Sequence, residues 1–232
     1  MSRLAVRERR EEQMDDPALD PAVYAAVIAD LAKVNALLMV SRPTIGFIGR
    51  ALKGRRRFRL LDVGFGQGDM LRAIARWARR KGVEAELVGV DLNPRSLAPA
   101  QAATPAGMPI EYRIGDYADT AGQEWDFLIS SSVTHHMADE EIHAFLRFME
   151  AEARMGWFVN DIHRHRLAYM GFPLLARIMR WHRMVREDGR LSIARSFRAD
   201  EWRRLIEESG IDPAGPQVVR RFPMRLCVER AR

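Results

Sequence analysis

From residue 55 onward, short apolar runs alternate with stretches whose apolar side chains recur every three or four positions. The runs predict strands near 59–64, 86–91, 110–115, 125–131, 155–161, 216–222 and 224–229. The periodic stretches predict helices near 68–81, 94–103, 138–152 and 198–209; in the first of these Met70, Leu71, Ile74, Ala75, Trp77 and Ala78 form one face. Strands and helices in alternation predict an α/β chain built on a largely parallel sheet. Only Phe222 and Pro223 separate the last two runs, so these predict an antiparallel hairpin that closes the sheet. Ahead of the first strand, Asp20 caps and Pro21 opens a helix carrying Val23, Val27, Ile28, Leu31, Val34 and Leu38. Ser41-Arg42-Pro43 breaks it, and Thr44 to Leu52 reads as a second short helix, either covering the sheet edge or forming a lid. Residues 1–16 are so highly charged that they read as loosely ordered.

One junction departs from a plain strand–turn–helix. Leu60-Leu61-Asp62-Val63-Gly64-Phe65-Gly66-Gln67-Gly68-Asp69 ends its apolar run in an acid and then places glycines at alternate positions. Such a turn brings the main chain close to a nucleotide-like ligand at the start of a helix. A dinucleotide fingerprint spaces its glycines G-x-G-x-x-G. Here the spacing is G-x-G-x-G, and Asp69 occupies the place of the third fingerprint glycine. Carboxylates at both ends of the loop repel a diphosphate and suit a ligand bearing an amine and a sulfonium. The loop therefore argues against a nicotinamide oxidoreductase and for S-adenosylmethionine.

At this loop the chain resembles the class I S-adenosylmethionine-dependent methyltransferases, and in particular the small-molecule group that includes quinone and polyketide methyltransferases. The resemblance implies a Rossmann-like α/β fold: a seven-stranded, mostly parallel sheet with helices on both faces and one antiparallel strand, here the last. The N-terminal helices (1–54) are an addition to it. So is a helical insertion at 162–196 within the methyltransferase domain (55–232). The loop implies cofactor contacts from Asp62, Gly64, Phe65, Gly66 and Gly68. Asp91, which ends the second strand, lies where a carboxylate can accept from both hydroxyls of a ribose, and Leu92 after it is a further expected cofactor contact. Asp116 and Tyr117 match the family positions that hydrogen-bond and pack on the adenine, and Ser131, at the carboxyl end of the fourth strand, is also an expected cofactor contact.

That strand runs into Thr134-His135-His136-Met137, which resembles the fourth methyltransferase motif with its paired histidine. Strands one and four flank the topological switch point, so the pair faces the ligand crevice. Histidine can take a phenolic or enolic proton as the methyl arrives. Asp161 ends the neighbouring fifth strand and can orient one imidazole. The expectation is His135 as base with Asp161 as its partner and His136 as packing or substrate contact, the reverse assignment remaining open. The insertion interleaves Leu167, Met170, Phe172, Leu174, Leu175, Ile178 and Trp181 with arginines, and reads as one or two amphipathic helices. It packs on the sheet, caps a large apolar or aromatic acceptor, or rests on a membrane surface. His163, Tyr169 and Phe172 are its candidate acceptor contacts. No metal is assigned, because His163 and His165 lack partners at recognised spacing.

The 232 residues are 47% hydrophobic and 29% charged, as expected of one globular domain with an added lobe. A net charge of +6 raises the question of nucleic acid, but lysine occurs only at 33, 53 and 81 and the arginines are scattered, so solvated surface is the reading. Nucleic-acid methyltransferases of the exocyclic-amine kind carry Asn/Asp-Pro-Pro-aromatic after strand four, which Ser130-Ser131-Ser132-Val133 does not match. Relatives that bind the cofactor for non-methylating chemistry share the same motifs and stay open. The single Cys227 fits a reducing, cytoplasmic setting, and neither a secretory leader nor an apolar run of membrane-spanning length is visible. The cofactor is thus read as S-adenosylmethionine, and the partner as a small-molecule acceptor in secondary metabolism.

Overall fold

The computed structural model describes residues 4–232. Its seven strands are β1 (Arg57–Val63), β2 (Glu84–Asp91), β3 (Ile110–Ile114), β4 (Phe127–Ser131), β5 (Gly156–Ile162), β6 (Gln217–Arg221) and β7 (Arg225–Ala231). They form one sheet in the order β3-β2-β1-β4-β5-β7-β6. The first five are parallel, and β7 runs antiparallel to both β5 and β6, as the Phe222-Pro223 punctuation predicts. The order in which strands are added reverses between β1 and β4, which lie parallel with Val63 paired to Ser130. The carboxyl ends of these two strands open the crevice.

The inner strands β1, β2, β4, β5 and β7 are largely buried, as strands with helices on each face require, whereas the edge strands β3 and β6 are only partly covered. On one face α2 (Ser41–Ala51) and α3 (Asp69–Lys81) pack over Leu60, Phe127 and Phe158. On the other, α5 (Asp139–Glu152) and α8 (Ala199–Glu208) pack over Leu61, Leu128 and Trp157. The helix α4 (Leu97–Ala103) links β2 to β3. A third cluster joins α1 (Pro21–Leu37) to α6 (Arg166–Ile178) and α7 (Arg183–Arg195) through Val27, Val34, Ala176, Trp181 and Val185. The insertion is therefore two helices, and α1 leans on them across the carboxyl end of the sheet.

Three local expectations need correction. The first helix ends at Leu37, and the break lies at Leu38–Val40, where Met39 takes a φ of 51°. Ser41-Arg42-Pro43 is instead the first turn of α2, where a proline lacks no intrahelical partner. That helix covers a face of the sheet rather than its edge: Phe47 stacks on Phe158 of β5 with ring centroids 5.1 Å apart. The third correction concerns the N-terminus. Residues 1–3, Arg3 among them, lie outside the described residues, but the rest of the charged stretch is anchored. Arg7 donates from Nε to the Arg195 carbonyl (2.7 Å) and from Nη2 to the carbonyls of His135 (3.0 Å) and Met137 (2.7 Å), and its guanidinium lies 4.1 Å over the Phe197 ring. The backbone N–H groups of Gln13 and Met14 bond Asp188 of α7. Charges that read as solvated in sequence thus find partners far along the chain, and residues 4–16 form a strap across α7 and the loop after β4.

Candidate active site

The glycine turn is shaped for a ligand at its first half and for packing at its second. Gly64 (φ 78°) follows β1, and a side chain there would collide with Val133. Gly66 (φ 53°) has open space where a Cβ would sit, so a ligand can lie directly on its backbone. Gly68 (φ 74°) opens α3 against the Tyr112 ring and turns away from the cleft.

Above this turn lies a cleft of about 230 Å³ whose lining includes six of the residues expected to contact a cofactor: Asp62, Gly64, Phe65, Gly66, Asp91 and Ser131. It also holds Asp69, Asn93 and, from α1, Tyr24 and Asn35. Three carboxylates meet here. Asp62 is 1% exposed, and its Oδ1 has no hydrogen-bond partner. Burial, with Asp69 and Asp91 nearby, pushes its carboxyl well above the ordinary aspartate range. Asp69 is also raised by burial, although Asn35 Nδ2 donates to it at 3.2 Å. Asp91 accepts from the Gly66 N–H (2.9 Å) and from the Asn93 N–H (2.9 Å), and burial raises it as well. An unpartnered buried carboxylate beside two others is the reverse of a diphosphate site. It fits a ligand with a cationic centre, and the bare backbone at Gly66 gives that ligand a floor.

Other expected cofactor residues stand outside this lining. Leu92 is largely exposed. Asp116 spends its carboxylate capping a short turn, accepting from the Ala118 N–H at 2.9 Å. Tyr117 is drawn into the core instead, its ring 5.0 Å from Phe145 and 4.8 Å from Phe148 of α5.

A second cavity, of about 340 Å³, adjoins the cleft. The two share Met14, Leu31, Asn35, Ser132 and His136. The larger one is walled mostly by apolar side chains: Val27 and Val34 from α1, Phe172 and Leu175 from α6, Val185 and Ile193 from α7. Polar groups gather at one end, namely Glu12, Ser132, His135, His136, Asp188 and Arg225.

The histidine pair lies on a short turn after β4, and its two rings have different partners. His135 is buried, with Nδ1 at 2.8 Å from Asp161 Oδ1 and Nε2 at 3.6 Å from Glu12. Thr134 Oγ1 also donates to Asp161 Oδ2 (2.5 Å), which fixes that carboxylate from its other side. Burial alone would lower the His135 pKa, but the charges and hydrogen bonds of Asp161 and Glu12 prevail and raise it to about 9. Asp161 is correspondingly held below the usual carboxylate range. His136 turns the other way, with Nδ1 at 2.9 Å from Asp15 Oδ2 on the strap. Burial opposes ionisation of Asp15, yet its hydrogen bond and charge interaction with His136 leave that carboxyl lowered. Of the two imidazoles only His136 faces both cavities.

The structure brings Asp161 to His135, and it separates the expected acceptor contacts. Phe172 lines the apolar cavity. His163 does not: it lies in a separate depression with Arg164, His165, Arg198, Arg203 and Arg220. Burial and the charges of Arg220 and its neighbours lower its pKa to about 4. Tyr169 is covered by the Arg190 guanidinium, 4.2 Å from its ring. Sequence reasoning missed Glu12 and Asp15, because nothing local in a charged terminus marks two acids that meet residues more than 120 positions away. It also missed Arg225, which donates to Asn160 Oδ1 (2.7 Å) and Ser132 Oγ (2.9 Å) at the cavity wall.

Residues 60–155 match the family described as "methyltransferase domain". No curated protein matches the sequence. Among solved structures, human N-acetylserotonin methyltransferase in complex with SAM superposes with a TM-score of 0.64 at 13% identity, covering 92% of this chain and 56% of that one. This chain therefore spans a little over half the length of the human protein. The plantazolicin methyltransferase BpumL in complex with SAH gives 0.64 at 11% identity, over 94% and 92% of the two chains. Magnesium protoporphyrin IX methyltransferase from Synechocystis PCC 6803, with bound SAH, gives 0.55 at 15% identity, over 95% and 91%. Residues 60–155 thus match a methyltransferase domain, and the chain as a whole shares the fold of solved methyltransferases crystallised with SAM or SAH.

Proposed function

We propose that the protein methylates an oxygen or carbon of a small aromatic, phenolic or quinone/polyketide-like acceptor. The observation that carries this reading is the shared wall: a carboxylate-lined cleft meets a larger apolar cavity at His136. S-adenosylmethionine supplies an electrophilic methyl group when bound. Asp62 and Asp69 would face its cationic end and Asp91 its ribose, while the Gly64–Gly66 backbone lies beneath it. The apolar cavity takes the acceptor ring and any alkyl chain, and excludes water from the reacting oxygen.

Proton control falls to the two imidazoles in distinct roles. The sequence favours His135 as base, but both its nitrogens face carboxylates and it stays an imidazolium up to about pH 9. We assign it a positioning role: held between Asp161 and Glu12, it fixes the turn that presents His136. His136 accepts the acceptor's proton, with Asp15 fixing its ring through Nδ1 and the second nitrogen free to face the acceptor. In this reading residues 1–54 act as a lid over both cavities and residues 162–196 as the acceptor cap. The acceptor belongs to secondary metabolism and is not nucleic acid, and the enzyme works in the cytoplasm, where its lone, buried Cys227 stays reduced.

Purified protein incubated with methyl-labelled cofactor and a panel of phenols and hydroxyquinones tests the proposal. Label is expected in the phenol fraction, and His136→Ala should lower kcat about 10²- to 10⁴-fold. Transfer to RNA alone would overturn the acceptor class. Tight cofactor binding with no transfer to any acceptor would point to the non-methylating alternative.

A further inference from the structure

Helix α6 carries two apolar faces. Phe172 and Leu175 look into the acceptor cavity, together with Leu167. Next to that face, Leu167, Met170, Leu174 and Ile178 recur at intervals of three and four and remain 63 to 72% exposed. A row of four large apolar side chains is not what a helix facing only water carries. Leu167 belongs to both faces, so apolar surface runs unbroken from the outside of the helix into the cavity. Across the same cavity lies the β6–β7 turn. Its Pro223 and Met224 contribute to the lining, and its tip residue Phe222 is 80% exposed.

The charges on α6 itself are of one sign. Helix α6 contains no acidic residue. At about 100° per residue, Arg166 and Arg177 fall together along one border of the stripe, and both are exposed. Arg180 follows just past the end of the helix, and Arg220 is exposed next to the hairpin tip. Arginines bordering an apolar stripe complement an anionic lipid surface, where the stripe enters the headgroup boundary and the guanidiniums meet phosphates. A second copy fits less well, because a two-fold contact would set these arginines against their own images.

We infer that the α6 stripe and the Phe222 tip dock on an anionic bilayer and open the acceptor cavity towards it. The docking stands on the surface alone; the passage of a lipophilic acceptor from bilayer to cavity rests on the function proposed above. Among the described residues no single helix is long and apolar enough to cross a membrane. The α1–α2 pair passes that test only jointly, across a 63° bend, and it packs on the sheet and the cap. The contact is therefore one of surface insertion.

Co-sedimentation of the full chain with vesicles of phosphatidylcholine, with and without phosphatidylglycerol, tests this. Binding is expected with the anionic vesicles and should fade as salt rises. Met170→Glu with Leu174→Glu should weaken partitioning at least about tenfold, and each of Arg166→Gln and Arg177→Gln about fivefold. All four positions are exposed, so cofactor binding measured by calorimetry should be unchanged. Absence of binding to anionic vesicles at low salt would overturn the inference. So would a concentration-dependent dimer that Leu174→Glu dissolves, since the stripe would then serve a second copy. Vesicle binding without methyl transfer would count against the proposed function only, and transfer to a soluble phenol without vesicle binding against the docking only.

Discussion

Asp62 is a buried carboxylate whose ionised form opposes folding stability. It sits in the floor of the cleft with one oxygen unpartnered and two other carboxylates near, so its ionised form is disfavoured until a cation arrives. Asp62→Asn removes that penalty, and the cofactor-free variant should melt at a higher temperature than the parent. The same change should weaken S-adenosylmethionine binding about 10- to 100-fold, the usual effect of removing a charged partner. A variant that melts lower and binds as tightly would contradict the placement of the cationic end. His135 leads to a pH prediction. Its folded pKa of about 9 exceeds the ordinary 6.5, so its contribution to stability is fully present below about pH 6.5 and is lost as pH rises towards 9. Asp161 is shifted the other way, so its contribution is present above the ordinary aspartate value of 3.8 and fails only in strong acid. Thermal melts should thus decline between pH 6.5 and 9 in the parent and flatten over that range in His135→Gln.

At the scale of elements, the strap and α6 behave differently from the sheet. The strands and α3, α5 and α8 were legible because each buries a periodic apolar face in one core, which is a local property of the chain. The strap was not, since Arg7 and Glu12 are fixed by groups on α7 and the turn after β4, which adjoin them only in the fold. The same distinction explains the site. The Asp62–Gly66 turn, read from its spacing, lines the cleft, whereas Tyr117 and His163 lie outside both cavities because aromatic packing and a basic depression hold them. Arg7→Ala removes four hydrogen bonds with acceptors on three segments. It should cost about 2 kcal/mol in urea unfolding and expose residues 4–16 to proteolysis. An unchanged cleavage pattern would mean that the strap is held by its other contacts alone. For α6, a Cβ at Gly171 meets nothing within 4 Å. Gly171→Leu should therefore fill the cavity, raise KM for a bulky acceptor about tenfold or more, and leave cofactor affinity unchanged.

At the scale of the whole molecule, two structures of different origin in the chain meet over the crevice. The sheet supplies the carboxylates and the glycine turn; α1 and the strap supply Met14, Asp15, Tyr24, Ile28, Leu31 and Asn35 to the same cleft. A ligand there bridges the central strands to a helix that otherwise leans on the insertion helices α6 and α7. Ligand binding stabilises the folded state against any opening that destroys the site, by about 2.7 kcal/mol at a hundredfold excess over Kd. The β1–β4 core is already the most deeply buried part of the chain, so the gain should appear mainly in the α1 unit, whose opening is governed by fewer contacts. Hydrogen exchange with and without S-adenosylmethionine can separate the two. Amides of residues 12–37 should slow markedly on addition of cofactor, while those of β1, β4 and β5 change little. If protection is confined to the turn after β1, then α1 is scaffold rather than lid. The coupling between the two cavities would then have to run through His136 and Ser132 alone.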